Sequence, residues 1–165
     1  MSLNNVEIET VLLNQVTAAA AGNTNRALIS DINGIPLETI DELFVFMDFK
    51  AVLTGGVFDL FLQRALVADP VLATDAHWTD YAHFLQVPAG TLKKVIGSFP
   101  SLNAPSAAVT TDAFRDVENG ALVADASLAS HWGKVLRVRE VVGAGASAAG
   151  TYDLIFHVYR KKLFS

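Results

Sequence analysis

The residues whose side chains are best suited to catalysis or ligand binding lie between Asp75 and His83. Two histidines, two aspartates, a tryptophan and a tyrosine fall within these nine residues. If a strand begins near His77, the even spacing places His77 and His83 on one face, about 20 Å apart. That separation is too large for a shared metal ion, so we expect both histidines at a surface or an interface. Calcium held by Asp69, Asp75 and Asp80 is the alternative, because hard cations prefer oxygen ligands.

The two tryptophans offer a second kind of site. Trp78 and Trp132 each follow a histidine at the edge of a predicted element. An exposed indole, with help from Tyr81, could stack on a sugar ring, whereas a half-buried one would cover an end of the core. Both interpretations are open from the sequence.

The motifs of known enzyme classes are missing from the sequence. The chain has no cysteine, which excludes disulfides, thiol nucleophiles and cysteine-based zinc sites. It has no nucleophile elbow and no Walker loop, and Gly143-Ala144-Gly145 lies between β segments with no helix to hold a phosphate. His131 and His157 have no acid or nucleophile pattern beside them. We therefore predict no catalytic residues, no cofactor and no resident metal.

Alternation of apolar and polar residues over short stretches predicts an all-β chain. Leu43 to Ala51 is predicted to form a strand that buries one face. Val57 to Arg64 is predicted to pair with it as a β-hairpin across a turn at Gly55-Gly56. A second hairpin is predicted from Trp78 to Val87 and Thr91 to Phe99.

Further strands are predicted on both sides of these hairpins. Two late strands flank a glycine- and alanine-rich loop. Lys134 to Val142 places Arg137 and Arg139 on the face opposite Leu136 and Val138, and Thr151 to Arg160 turns Tyr152, Leu154, Phe156 and Val158 to one face. Val6 to Val16 and Arg26 to Ile32 are weaker candidates. One short helix is predicted at Asp125 to Ser130, with Asp125 as its cap. About eight strands with so little helix predict a single antiparallel β-sandwich or jelly roll over residues 1–165.

The composition favours a protein that contacts partners. Of the 165 residues 52% are hydrophobic and only 18% are charged, and large exposed apolar patches usually mark interaction sites. No apolar run is long enough for a membrane helix, and no Lys or Arg precedes Arg26, as the start of a secretory signal would require. We expect synthesis in the cytoplasm and no membrane partner.

The net charge of -5 is unevenly distributed. Residues 1–60 carry eight acidic residues against Arg26 and Lys50, whereas the chain from Lys134 onward is mostly basic. Opposite charges at the two ends of the chain could bring identical subunits together head to tail. No dense basic face is present, so a nucleic-acid partner is not expected.

The order of several short segments resembles small virion proteins of tailed bacteriophages. Such proteins open with a segment like Asn14 to Ala18, and later show a strand like Phe58 to Gln63 followed by a Trp-Thr-Asp step, here Trp78-Thr79-Asp80. A late strand like Val135 to Arg139 and an ending like Gly143 to Val158 complete the similarity.

The resemblance is to head decoration or cement proteins and implies a non-enzymatic β-sandwich located in the virion. Its implied partners are the major capsid protein or other virion proteins, and copies of itself, with a trimer as the expected form. The alternatives are a single jelly-roll capsid protein that builds the shell itself, and a carbohydrate- or receptor-binding module. Partner contacts are expected at the N-terminal arm, in the loop from Ser101 to Ala108, in the basic C-terminal tail and at both tryptophans. The individual candidates are Pro105, Trp78, Trp132, Arg160, Lys161 and Lys162.

Overall fold

A computed structural model describes residues 5–17, 21–51, 53–84, 86–92, 94–100, 124, 126–127, 132–145 and 150–161. Within these residues the chain is all-β. The strands are β1 (Asn5–Thr17), β2 (Gly22–Ile29), β3 (Asp31–Ile32), β4 (Ile35–Pro36), β5 (Glu42–Ala51), β6 (Val57–Ala65), β7 (Trp78–His83), β8 (Val87–Pro88), β9 (Lys94–Pro100), β10 (Ala126–Ser127), β11 (Leu136–Val142) and β12 (Thr151–Lys161). Two single-turn 3-10 helices, Leu37–Thr39 and Asp75–His77, complete the described elements. None of the described helices is long and apolar enough to cross a membrane.

The described strands form two main sheets with antiparallel pairing throughout. The smaller sheet has the order β1-β12-β5-β9, and the larger has the order β10-β7-β6-β11-β2 with β8 beside β6. Strands β3 and β4 form a separate small hairpin at Asn33-Gly34, where both residues have positive φ. The all-β antiparallel fold predicted from the sequence is confirmed.

Among the described residues, the eight strands that are six residues or longer pair in the pattern of a jelly roll. The first pairs with the last (β1 with β12), the second with the seventh (β2 with β11), the third with the sixth (β5 with β9), and the fourth with the fifth (β6 with β7). This is the pattern produced when one long hairpin rolls up on itself. The pairing of β12 with β5 joins two of these strand pairs into the smaller sheet, and the pairing of β11 with β6 joins the other two into the larger sheet.

Both predicted hairpins are wrong in their pairing. Strands β5 and β6 lie in different sheets, because the chain crosses from one to the other through Gly55 and Gly56, whose φ values are +75° and +68°. The inward rings of Phe49 and Phe58 meet across the sandwich, with centroids 5.0 Å apart. Strand β9, the predicted mate of the Trp78 strand, pairs with β5 instead.

The core lies between the sheets and is filled by apolar side chains. On β12 the predicted inward face is confirmed, since Tyr152, Leu154, Phe156 and Val158 are all buried. The same holds for the inward face of β5, except that Ala51 at its end is exposed. From the larger sheet the core receives Phe58, Leu60, Leu62, Leu136 and Val138. Alternate residues therefore point away from the core, onto the outer faces.

The predicted short helix is not found where the chain is described. Ala126 and Ser127 form strand β10 and pair with His83 and Ala82, because they extend the edge of the larger sheet. The rest of the range 125–130 and the whole of 101–108 lie outside the described residues.

Candidate functional site

A set of seven polar side chains, six of them buried, lies on the outer face of the larger sheet. Strand β6 contributes Asp59 and Gln63, which alternate with the inward Phe58, Leu60 and Leu62. The other members are Asp80 and His83 on β7, Arg137 and Arg139 on β11, and Asp75 from the connection between β6 and β7. We call these seven residues the outer-face network.

Arg137 is the centre of the outer-face network. Its side chain is fully buried, yet each guanidinium nitrogen donates a hydrogen bond: Nε to Gln63 Oε1 at 2.6 Å, Nη1 to the Leu72 carbonyl at 2.7 Å, and Nη2 to Asp75 Oδ1 at 2.7 Å. The guanidinium carbon also lies 5.0 Å from the ring centroid of Trp78. Burial lowers the pKa of Arg137, and the hydrogen bond to Asp75 opposes that shift.

The remaining groups of the network bond to one another. Gln63 Nε2 donates to Asp80 Oδ1 at 2.6 Å, so the amide of Gln63 joins Arg137 to a buried carboxylate. Further along the sheet, His83 Nε2 and Asp59 Oδ1 are 2.7 Å apart, and Phe61 stacks on the imidazole at a centroid distance of 3.9 Å. Buried charges that are paired in this way fix the geometry of the surface that carries them.

The network holds the β6–β7 connection (residues 66–77) against the sheet. The Leu72 carbonyl accepts hydrogen bonds from Arg137 and, at 3.2 Å, from Asn25 Nδ2 of β2. The Trp78 indole N–H donates to the Val71 carbonyl at 2.9 Å. The connection therefore crosses β11 toward the edge strand β2, with its polar groups directed at the sheet.

A second polar cluster ties the two sheets together on the inner side. A β-bulge in β2 opposite Val138 and Arg139 leaves Arg26 as the extra residue, and its Nε donates to Glu140 Oε1 at 2.7 Å. The Tyr152 hydroxyl, which belongs to the smaller sheet, donates to the same oxygen. The hydrogen bond to Glu140 raises the pKa of Arg26, and burial, reinforced by Glu140, raises the pKa of Tyr152.

Both tryptophans expected at a partner-binding surface are fully buried. The Trp132 indole N–H donates to the Leu37 carbonyl at 3.0 Å, and Trp78 is bonded to Val71 within the β6–β7 connection. Tyr81 is buried as well. The stacking surface considered from the sequence is therefore not formed, because the indole N–H groups find their partners inside the protein.

The other predicted contact residues are only partly described. Arg160 and Lys161 lie at the end of β12, where they pair with Val6 and Asn5 of β1. Lys162 and Pro105 lie outside the described residues. Contact of these residues with a partner stays a prediction.

The acidic residues proposed for calcium do not converge. Asp75 bonds to Arg137, Asp80 bonds to Gln63, and no group of three or more metal-ligating side chains is found in the part of the chain that the structure describes. The histidines also have separate partners, since His77 Nδ1 accepts from the Val71 N–H and His83 contacts Asp59. The surface position expected for His83 is wrong, because its ring is buried against Asp59 and Phe61. The three aspartates considered for calcium are therefore not brought together into one ligand group among the described residues.

Sequence reasoning did not predict the outer-face network. Arg137 and Arg139 were assigned to the face of their strand opposite Leu136, but not to a buried cluster. The available signal was that polar residues at alternate positions of β6, Asp59 and Gln63, lie in a strand central enough to have two neighbours. Burial on both faces of such a strand requires polar partners on the outer side.

No protein-family model matches the chain, and comparison with curated proteins found no significant sequence match.

Proposed function

We propose that this chain is a structural protein of a virus particle, which works by binding other virion proteins and copies of itself. The observation that carries the proposal is the nested strand pairing, first with last through fourth with fifth. Jelly rolls with this pairing recur in viral capsid domains, and also in lectins and cupins. Because a fold does not specify a function by itself, the choice among these classes rests on the sites.

The space between the sheets supports a scaffold and not a ligand-binding barrel. Phe49, Phe58 and Tyr152 contact one another there, with ring centroids 5.0 to 5.5 Å apart. Aliphatic side chains from both sheets pack around these rings. A small molecule would have to displace this packing to enter.

The outer face also favours a structural role. The cation of Arg137 is bonded to Asp75, and the Asp59 carboxylate is bonded to His83. Groups held in this way stabilise one geometry of the sheet, and nothing in their arrangement directs a nucleophile or base toward a substrate. A carbohydrate-binding module is the weaker candidate because Trp78, Tyr81 and Trp132 are buried.

Within the virion, decoration of a head is the role that we propose first, and construction of the shell is the alternative. Electron microscopy of the concentrated protein separates them. A decoration protein is expected to stay as small discrete oligomers, with a trimer as the expected form, whereas a shell protein is expected to form closed particles or sheets alone.

A glycan-binding measurement tests whether the protein is a virion structural protein or a carbohydrate-recognition module. Tryptophan fluorescence and calorimetry with a panel of glycans are expected to show no binding, because both indoles are buried. Specific glycan binding by a protein that never assembles would contradict the proposal and favour a recognition module.

A further inference from the structure

Four aliphatic side chains are exposed at one end of the larger sheet. Leu66, Val67 and Val71 of the β6–β7 connection are 45%, 42% and 53% exposed, and Leu28 of the edge strand β2 is 47% exposed. We call these four residues the end patch. Apolar surface exposed in this way is available for contact with a partner.

The hydrogen bonds under the connection bring these side chains to the same part of the molecule. Leu28 pairs with Arg137 in the sheet register, and the Arg137 guanidinium reaches the Leu72 carbonyl of the connection. Asn25 of the same edge strand reaches that carbonyl too. The connection therefore crosses β11 and reaches β2, the strand that carries Leu28.

The end patch is held in place before any partner binds. The Leu66 N–H donates to the His77 carbonyl at 2.8 Å, the Val71 N–H donates to His77 Nδ1 at 3.0 Å, and the Thr74 N–H donates to the Val71 carbonyl at 3.1 Å. A surface that is already ordered loses little conformational entropy on association. Apolar side chains that are both exposed and fixed are suited to docking.

Charges of both signs flank the end patch. Lys134 is 83% exposed and lies beside the start of the connection, because the Ala65 N–H donates to the carbonyl of the next residue, Val135. Its contact with Glu38 at 3.2 Å is a surface ion pair and is therefore weak. On the connection itself Asp69 is exposed, whereas Asp75 is 56% exposed but already bonded to Arg137. Two copies related by a twofold axis can thus place Asp69 of one beside Lys134 of the other.

We propose that the end patch binds the end patch of a second copy of this chain in a twofold-related contact. Self-complementary charge around an apolar centre favours a second copy over an unrelated protein. Four half-exposed aliphatic side chains offer on the order of 200 Å² of apolar area, well below the ~800 Å² that each partner buries in a standard interface. The contact is therefore a weak one, as suits subunits that assemble in many copies.

The inference rests on the proposed function in one respect, since that function includes binding to copies of the same chain. It adds which surface does so and with what symmetry. A twofold contact of this type would either form dimers or link larger oligomers to one another.

Sedimentation velocity of the full chain over a wide concentration series tests the proposal. The wild type is expected to show reversible, concentration-dependent association, and Val71→Asp is expected to weaken it at least tenfold. The matched control is Leu92→Asp, because Leu92 is 59% exposed but follows β8, which pairs with Val57 and Phe58 at the opposite end of β6. Circular dichroism and thermal melts check that both variants fold.

A charge exchange tests the proposed symmetry. Lys134→Glu is expected to weaken association, and adding Asp69→Lys to it is expected to restore part of the loss. Equal weakening by Leu92→Asp, no effect of Val71→Asp, or binding only to a different protein would overturn the end-patch contact. If the wild type associates through another surface, this inference fails and the proposed function stands. If the wild type stays monomeric and builds no particle, both fail.

Discussion

At the scale of single residues, the most consequential side chain is Arg137. Its cation is buried and satisfied by Gln63, Asp75 and the Leu72 carbonyl. Removing one partner from a buried charge network leaves the others desolvated without compensation. The stability of the larger sheet therefore depends on this side chain more than on any exposed ion pair.

Arg137→Ala is expected to lower the free energy of unfolding by about 1–3 kcal/mol, because the buried amide of Gln63 loses its donor, whereas the exposed Asp75 carboxylate can be hydrated. Urea denaturation of the purified protein measures the change. Lys134→Ala serves as the control, and since Lys134 is exposed it should alter stability by less than about 0.5 kcal/mol. A loss below about 1 kcal/mol for Arg137→Ala would show that the network does not stabilise the fold.

The burial of Tyr81 is expected to make the free energy of unfolding fall at alkaline pH. Burial raises the pKa of Tyr81 to about 12, whereas tyrosine in an unfolded chain ionises near pH 10. The stabilising contribution is therefore complete below about pH 10 and is lost as the pH rises toward 12, because the unfolded state releases its proton first.

Ionisation of Tyr81 should lower the free energy of unfolding by roughly 1 kcal/mol between about pH 9 and about pH 11. Urea melts at the two pH values measure the loss, and the loss should be smaller in Tyr81→Phe. An equal loss in both proteins would mean that Tyr81 ionises normally in the folded state.

At the scale of elements, the inward polar cluster explains how the two sheets are tied at one end. Arg26 reaches Glu140 because the bulge in β2 turns it out of the regular alternation, and Tyr152 reaches the same carboxylate from β12. The second oxygen of Glu140 is buried and has no partner among the described residues. Loss of either donor would leave the carboxylate poorly compensated.

Tyr152→Phe is expected to destabilise the fold by roughly 1–3 kcal/mol, because the ring still packs on Phe49 and Phe58 while Glu140 loses a donor. A double-mutant cycle with Arg26→Ala should give a coupling energy above about 0.5 kcal/mol, as both side chains bond one oxygen. Strictly additive effects in denaturant melts would argue against a shared cluster.

The sequence predicted the strands and their faces well but not their pairing. Alternation of residue types reports which side chains point inward, as on β12, where the predicted and observed inward faces agree. It does not report whether Gly55-Gly56 reverses the chain within a sheet or carries it to the opposite one, since both turns use the same residues. The choice depends on the packing of Phe49 on Phe58, which is a long-range contact made only in the closed sandwich.

The candidate sites were less predictable for a related reason. The segment from Asp75 to His83 is rich in polar and ionisable residues, but its partners Arg137 and Asp59 come from strands distant in sequence. Trp78 and Trp132 are buried and not exposed as expected, because their indole N–H groups donate to carbonyls of surrounding loops and turns. Spacing along the chain carries no information about such contacts.

At the scale of the whole molecule, the described residues form a sandwich of two antiparallel sheets. Its interior is filled by apolar side chains, its outer-face charges are mutually bonded, and its exposed apolar residues are concentrated on a fixed connection. The head-to-tail association considered from the charge of the chain ends is not the arrangement that this surface favours. Lys134 and the acidic β6–β7 connection lie at the same end of the sandwich, which suits a twofold contact.

Light scattering of the purified full chain across a concentration series tests the central claim most directly. The account predicts a mass that rises above that of the monomer as concentration increases, reaching a discrete oligomer or an assembled particle. A mass that stays monomeric at every concentration and ionic strength would contradict the proposal that this protein works by assembling.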